Sequence, residues 1–242
     1  MKTQSKRFFV AGTDTGVGKT LVTTALLLAA AQRGHSTLGL KPVAAGCEQT
    51  DAGLRNEDAL ALQAASTVSV SYEQTNPVAL REAIAPHLAA KHENRTLQVS
   101  RLAGICRGAL SKADLVLVEG AGGWRVPLSG RETLAALAVE LQLPVILVVG
   151  IRLGCLNHAL LTAEAIRNDR LPLAGWIANV IDPHTACIDE NIETLERWLG
   201  APRLATLPYI PEVRADQLIQ QIDIAPLGLQ ASIHWPWLST FA

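Results

Sequence analysis

The stretch FFVAGTDTGVGKTLVTTALLL, residues 8–28, decides the fold of this chain. It begins with an apolar run typical of a buried strand, continues as a glycine-rich loop ending in Gly18-Lys19-Thr20, and finishes as an apolar helix. Strand, loop, Gly-Lys-Thr and helix in this order predict a phosphate-binding loop. The usual loop has four residues between its glycines, whereas five separate Gly12 from Gly18. The extra residue changes the expected shape of the loop, not its chemistry.

The loop supplies the groups that bind a triphosphate. Its glycines let backbone N–H groups turn toward phosphate oxygens, and the positive end of the following helix points at the same anion. Lys19 can reach the outer phosphates, and the Thr20 hydroxyl can bind Mg²⁺. A glycine-rich turn that binds nothing is the disfavoured alternative. We expect the nucleotide to be bound by Gly12, Thr13, Asp14, Thr15, Gly16, Val17, Gly18, Lys19 and Thr20.

The composition excludes several classes of protein. Of 242 residues, 49% are hydrophobic and 18% are charged, which allows a sizeable core. A formal net charge of −1 argues against a nucleic-acid partner, and no apolar run is long enough for a membrane span. The start, MKTQSKRFFVAGTD, has too short an apolar stretch for a secretory signal. The scattered cysteines suggest reduced thiols and a cytoplasmic location rather than disulfides or zinc.

Short apolar runs alternate with helical stretches along the chain. Six strands are predicted, in RFFVAG, STLGLKPV, DLVLVEG, PVILVVG, LAGWIANVI and RLATLPYI. They are continuously apolar, so we expect a doubly wound, mainly parallel α/β sheet with helices on both faces, of the P-loop NTPase type. We expect one domain over residues 1–242, with residues 66–97 interrupting the alternation and folding over the site. The tail, about residues 226–242, fits no element of this scheme.

Charged residues stand at the carboxyl ends of the predicted strands, where such sheets bind ligands. Glu119 ends LVLVE, where a P-loop protein has its second acidic magnesium group. Lys41 ends the second strand and can neutralise a transferring phosphoryl group or hold a substrate carboxylate. Asp58 stands near a helix start. The alternative interpretations are a solvated carboxylate, a surface lysine and a capping acid.

Asn179 follows a strand and precedes Asp182 by three residues. GTPases read guanine with N-K-x-D at this position, but Val180 replaces the lysine, so the guanine pattern is incomplete. The Asn179 amide can still recognise adenine, and a simple turn residue is the alternative.

Eight segments together resemble one enzyme family. GTDTGVGKT, KPVAAG, GLRNEDALAL, APH, VEGAGGW, PVILVVG, LGCLNH and LAGWIANV are similar, in order and spacing, to the ATP-dependent dethiobiotin synthetases, from about residue 7 to about residue 210. Members of that family carry the same extra residue in the phosphate loop. The resemblance implies a homodimeric cyclo-ligase that uses 7,8-diaminopelargonic acid, CO₂ and ATP.

The resemblance also implies roles for particular residues. Thr20, Asp58 and Glu119 hold Mg²⁺, while Lys41, Lys19 and Thr15 are catalytic. The remaining nucleotide contacts are Gly120, Ala121, Gly122, Asn179, Pro208, Tyr209 and Ile210, the last four at the adenine. The substrate is held by Lys41, Ala45, Gly154, Cys155, Leu156 and Asn157, and the last four receive its distant carboxylate across a two-fold interface.

Ala45 departs from the family, whose members commonly have serine there. One lost hydrogen bond, about 0.5–1.5 kcal/mol, weakens diamine binding about 2- to 13-fold. A paralogous ligase with a shifted diamine is therefore one alternative function. The other is a P-loop switch or partitioning ATPase, a class that often carries a second lysine early in the loop. Here AGTDTGVGK has no lysine before Lys19.

Overall fold

The computed structural model describes residues 5–230. Its strands are β1 Lys6–Gly12, β2 Thr37–Leu40, β3 Val43–Ala44, β4 Glu48–Thr50, β5 Gly53–Arg55, β6 Val78–Ala79, β7 Leu115–Glu119, β8 Val145–Ile151, β9 Leu173–Val180 and β10 Arg203–Leu207. Its helices are α1 Lys19–Gln32, α2 Glu57–Ala65, α3 Tyr72–Thr75, α4 Pro86–His92, α5 Val99–Arg107, α6 Leu134–Leu141, α7 Cys155–Asn168 and α8 Ile188–Leu199. Three short 3₁₀ turns follow β10.

Six parallel strands form the central sheet, in the order β10-β9-β8-β1-β7-β2. The predicted doubly wound α/β sheet is thus confirmed. The segment STLGLKPV was predicted as one strand, and this is wrong at its end. Strand β2 stops at Leu40, and Val43–Ala44 instead pairs with β6. Pro42 explains the break, because proline has no N–H to donate to a ladder and restricts the residue before it.

The sheet is buried on both faces because the central parts of its strands are continuously apolar, with exposed polar residues only in β1 and β10. Along β1, Phe9 packs into one core and Val10 into the other. The first core includes Leu137 of α6, and the second includes Leu26 of α1. Helix α1 is buried almost all round, as predicted, and Gly34 follows its end with a φ of +87°.

Parallel pairing brings the carboxyl ends of the strands to one edge. Val10 of β1 is in register with Glu119 of β7, and Gly150 of β8 with Asn179 of β9. The phosphate loop, Lys41, Glu119 and the end of β9 therefore lie along the same edge, as the sequence predicts.

The two irregular segments differ in what the structure describes of them. Residues 66–97 contain α3, β6 and α4. The tail is described to residue 230, where Leu227 and Leu229 are buried, and residues 231–242 lie outside the described part. Within residues 5–230, no helix is long and apolar enough to cross a membrane.

Candidate active site

The phosphate loop is held in shape by its glycines and by Lys19. Gly16 and Gly18 have φ values of +74° and +83°, which ordinary residues rarely adopt. The Lys19 ammonium donates to the backbone carbonyl of Asp14 at 3.0 Å, so the side chain lies across the loop. A Cβ on Gly12 would come within 2.7 Å of Val17 Cγ2 and 3.0 Å of Lys19 Nζ. The loop therefore needs glycine at position 12 for space and at 16 and 18 for conformation.

Lys41 lies between two carboxylates at the edge of the sheet. Its ammonium is 2.6 Å from Glu119 Oε1 and 2.8 Å from Asp58 Oδ2, and it also donates to the Gly120 carbonyl at 3.3 Å. Lys41 is 3% exposed and Glu119 is fully buried. A buried charge is tolerated only when it is paired and hydrogen-bonded, so the buried Lys41 and Glu119 need each other, while the partly exposed Asp58 adds a second negative charge beside Lys41.

Neighbouring segments fix the cluster in place. The Lys41 backbone N–H donates to the Thr75 carbonyl at 2.8 Å, and the buried Asn76 amide donates to the Lys41 carbonyl at 2.6 Å. Asp58 lies in the first turn of α2, whose N-cap is Asn56, as predicted. The sequence reading missed Asn76, because nothing in its own segment indicates which carbonyl it meets.

The cluster changes the ionisation of its members. Burial lowers the pKa of Lys41, but Glu119 and Asp58 raise it more, so the net pKa lies above its usual value. Burial raises the pKa of Asp58, but the Lys41 ammonium more than offsets this and the net pKa is lowered. Burial and the nearby Lys41 charge lower the pKa of Lys19 to about 8. Of these two lysines, Lys19 has the positive charge that nearby carboxylates stabilise less, and an anion bound to the loop would stabilise it.

Three oxygen-bearing side chains could hold a divalent cation here. Thr20 Oγ1 donates to Glu119 Oε1 at 2.7 Å. Asp58 Oδ2 accepts from the same Lys41 ammonium that pairs with Glu119, so the three side chains lie close together. Glu119 Oε2 is buried without a hydrogen-bond partner among the described residues, so this oxygen could coordinate a cation. Residues 5–230 contain no group of three His, Cys, Asp or Glu suited to hold a metal alone. Two carboxylates and a hydroxyl fit Mg²⁺, which usually shares its coordination with substrate phosphates.

A cavity of about 820 Å³ opens beside the cluster. Its lining includes the polar side chains of Lys19, Lys41 and Asp58 and the largely apolar group formed by Ala45 and the segment 83–86. Of residues 66–97, which the sequence predicts to fold over the site, residues 83–86 contribute to the lining. Charged and apolar lining groups together suit a ligand with charged groups on an alkyl chain.

Several predicted residues lie outside this cavity. The Asn179 amide donates to the Val17 carbonyl at 2.9 Å and so supports the phosphate loop from behind. Leu207 of β10 is in register with Asn179, and the exposed segment Pro208–Ile210 follows it. The segment Gly154–Asn157 begins α7, beside the almost fully exposed Leu153. Whether these residues bind the adenine or the substrate stays a prediction.

Two arginines near the site were missed by the sequence reading. Arg152 follows β8 and pairs with Asp14 of the phosphate loop at 2.6 Å. Arg125 lines the cavity. Arg152 could have been found, because it stands at the carboxyl end of a strand next to β1. Arg125 lies in a loop, where the strand pattern gives no position.

The parallel sheet, the phosphate loop and the lysine–carboxylate cluster define a protein with a P-loop nucleotide-binding fold. A family model described as an AAA domain matches residues 6–217. Two solved structures are similar over most of their length: the septum site-determining protein MinD with Mg-ADP from Pyrococcus horikoshii OT3 (TM-score 0.53, 17% identity, 93% of this chain and 92% of that one) and a ParA family ATPase from Chlorobium tepidum TLS (0.53, 14%, 94% and 91%). At these identities the similarity shows the fold alone.

Curated relatives narrow the class. ATP-dependent dethiobiotin synthetase BioD of Cellvibrio japonicus is 62% identical over 222 residues, covering 92% of this chain and 97% of its own. The proteins of the same name from Pseudomonas aeruginosa strain UCBPP-PA14 and Marinobacter nauticus are 54% and 51% identical, covering 92% and 91% of this chain and 98% and 97% of their own. This chain belongs to the ATP-dependent dethiobiotin synthetase family.

The lowered pKa of Lys19 predicts a stability change with pH in protein free of metal and nucleotide. Below pH 8 the folded state carries a poorly compensated charge, and as pH rises from about 8 toward 10.5 the folded state loses this proton before the unfolded chain does. From pH 7 to 9.5, the unfolding free energy of the wild type should rise relative to Lys19→Met by on the order of 2 kcal/mol. Urea denaturation in EDTA measures this difference, and a constant difference would contradict the lowered pKa.

Proposed function

We propose that this chain joins CO₂ to 7,8-diaminopelargonic acid and closes the ureido ring of dethiobiotin at the expense of ATP. One substrate amine takes up CO₂ and loses a proton to give a carbamate. A carbamate oxygen attacks the γ-phosphorus and ADP leaves, giving a carbamic–phosphoric mixed anhydride. The second amine then attacks the carbamate carbon and loses a proton, and the C–O bond to phosphate breaks. The products are dethiobiotin, ADP and inorganic phosphate.

The observation that carries this proposal is the position of Lys41, buried at the cavity beside Lys19. A carbamate and a triphosphate are both anions, so they approach each other only where fixed positive charge offsets their repulsion. The raised pKa of Lys41 keeps its ammonium charged through the neutral range. The Lys41 ammonium therefore places a fixed positive charge beside the carbamate and the transferring phosphoryl group, while Lys19 holds the outer phosphates.

Other side chains take supporting roles in the proposal. Thr20, Asp58 and Glu119 would hold Mg²⁺, which when bound neutralises charge on the triphosphate. The loop Gly12–Thr20 wraps the phosphates, and the exposed Thr15 hydroxyl is available to the substrate at the cavity. The segment 120–122 follows Glu119 beside the nucleotide. Asn179 and Pro208–Ile210 receive the adenine, since they meet at the end of β9 and β10.

We also propose a homodimer with composite sites in the cytoplasm. The segment Gly154–Asn157 stands outside the cavity of its own chain. The positive end of the 14-residue helix α7 suits a carboxylate. If a second copy supplies this segment, the distant carboxylate of the substrate is bound by the partner while the amines lie near Lys41. Leu153 and Leu161, 96% and 58% exposed, give this surface the apolar character of an interface.

The rival function, a partitioning or switch ATPase, shares the fold of the solved neighbours but has weaker support. The loop lacks a lysine before Lys19, and the cavity beside the loop has an apolar wall that a switch does not require. The direct test incubates the full-length protein with MgATP, bicarbonate and the diamine, and follows ADP and the cyclic urea by mass spectrometry. We expect ADP formation to depend on the diamine. ATP turnover without diamine, and without ring product, would remove the ligase function.

Substitution of Lys41 tests its role. Lys41→Gln removes the ammonium from the phosphoryl path, so we expect kcat to fall by at least ~100-fold. ATP binding, measured by calorimetry, should persist because the phosphate loop and Lys19 remain, and it also reports that the variant is folded. Lys112→Gln, at an exposed lysine, is the matched control. Unchanged turnover in Lys41→Gln would contradict the assigned role.

Ala45 tests the substrate side of the cavity. Ala45→Ser restores the hydroxyl common in the family at a position that lines the cavity. The diamine KM should fall about 2- to 13-fold, the value of one hydrogen bond, with kcat unchanged. Ala64→Ser, at an exposed position outside the cavity lining, should leave the KM unchanged. An unaltered KM in Ala45→Ser would favour a different diamine as the substrate.

A further inference from the structure

Arg125, Val126 and Pro127 line part of the cavity. Together with the buried Trp124 before them they form the wall segment Trp124–Pro127, which follows a glycine-rich run after Glu119. Gly122 has a φ of +64°, and a Cβ there would come within 2.9 Å of Val126 Cγ2 and 3.3 Å of Thr15 Oγ1. The wall therefore packs closely against the phosphate loop. Because glycines precede it, the backbone alone fixes its position poorly, and side chains must anchor it.

Two consecutive residues of the wall are anchored by one carboxylate, that of Asp169. The buried Trp124 packs edge-on against Phe9, with ring centroids 5.9 Å apart, and its Nε1–H donates to Asp169 Oδ2 at 2.7 Å. Arg125 binds the same carboxylate through two nitrogens, Nη1 to Oδ2 at 2.7 Å and Nη2 to Oδ1 at 3.0 Å. A fork of this kind fixes orientation as well as distance.

Asp169 is itself held rigidly at the end of α7. Its N–H donates to the Ala165 carbonyl at 3.1 Å, and the next residue, Arg170, has a φ of +61°. The N–H of the buried Leu171 closes the turn on the Ile166 carbonyl at 3.2 Å. A left-handed residue other than glycine persists only where its surroundings determine it. The carboxylate is thus fixed relative to the sheet, and it transmits that position to the wall.

We propose that Asp169 is a positioning residue for substrate recognition, acting through Trp124 and Arg125 on the wall that receives the diamine. The inference rests on the proposed ligase function. Asp169 is outside the set of residues that line the cavity, so its effect is indirect. Without it, the Trp124 N–H loses its acceptor in a buried setting, and Arg125 loses its fork, so the wall shifts. The phosphate loop keeps its own contacts, so ATP binding is spared.

The experiment measures steady-state kinetics of the full-length protein with Asp169→Ala, Asp169→Asn and a matched control. Asp216→Ala breaks another two-nitrogen aspartate–arginine pair, to Arg214 at 2.7 Å and 3.1 Å, on the surface. In Asp169→Ala we expect the diamine KM to rise roughly 10-fold, with the ATP KM and kcat within about 2-fold. Asp169→Asn should show a smaller rise, because its amide oxygen still accepts from Trp124. Asp216→Ala should match the wild type.

A second measurement is independent of turnover. Acrylamide quenching of tryptophan fluorescence should increase in Asp169→Ala, and the increase should vanish when Trp124→Phe is also present. An unchanged diamine KM, a joint rise of both KM values, or unchanged quenching would each overturn the proposal. If the wild type makes no cyclic product, the ligase function fails instead, while the quenching result still decides whether Asp169 anchors the wall.

Discussion

The buried ion cluster of Lys41, Glu119 and Asp58 is the constraint on which the rest of the site depends. Its members come from the ends of β2 and β7 and from the first turn of α2, so the cluster forms only if those elements meet at one edge. Removing the Lys41 charge would leave Glu119 uncompensated in a fully buried place, which typically costs several kcal/mol. The fold therefore places a lysine and two carboxylates beside the phosphate loop independently of any ligand.

The lining of the site therefore combines two kinds of surface, one charged and one apolar. Lys41 is compensated by its carboxylates, whereas Lys19 lies across the loop with a lowered pKa and gains most from a bound phosphate. Ala45 and the segment 83–86 contribute apolar surface to the cavity lining. A substrate with amines at one end and a hydrocarbon chain behind them fits that division. The electrostatic part is built into the sheet, and the apolar part comes from the irregular segment that covers it.

The sequence predicted the parts of the site that follow from local pattern and from strand direction. The phosphate loop, the convergence of Lys41 with Glu119 and the N-cap of α2 all follow from spacing and from parallel strands ending at one edge. The segment around Asp58 alone does not distinguish a magnesium ligand from an acid at a helix start, and only the family resemblance predicts the magnesium role. Contacts between distant loops could not be predicted: Arg125 with Asp169 joins residues 44 positions apart, and no periodic pattern marks such a pair. Pro42 indicates a strand break, but the apolar residues on both sides of it led to the wrong prediction of one continuous strand.

The central claim is that this edge of the sheet brings a carbamate oxygen to the γ-phosphate. Its most direct measurement is a single turnover with ¹⁸O-labelled CO₂, unlabelled ATP and the diamine, followed by mass analysis of phosphate and ring product before the label exchanges with water. If the carbamate is phosphorylated, one labelled oxygen leaves with inorganic phosphate and the other remains in the ureido carbonyl. Ring product formed together with unlabelled phosphate would mean that water, not the carbamate, accepted the phosphoryl group, and would contradict the account.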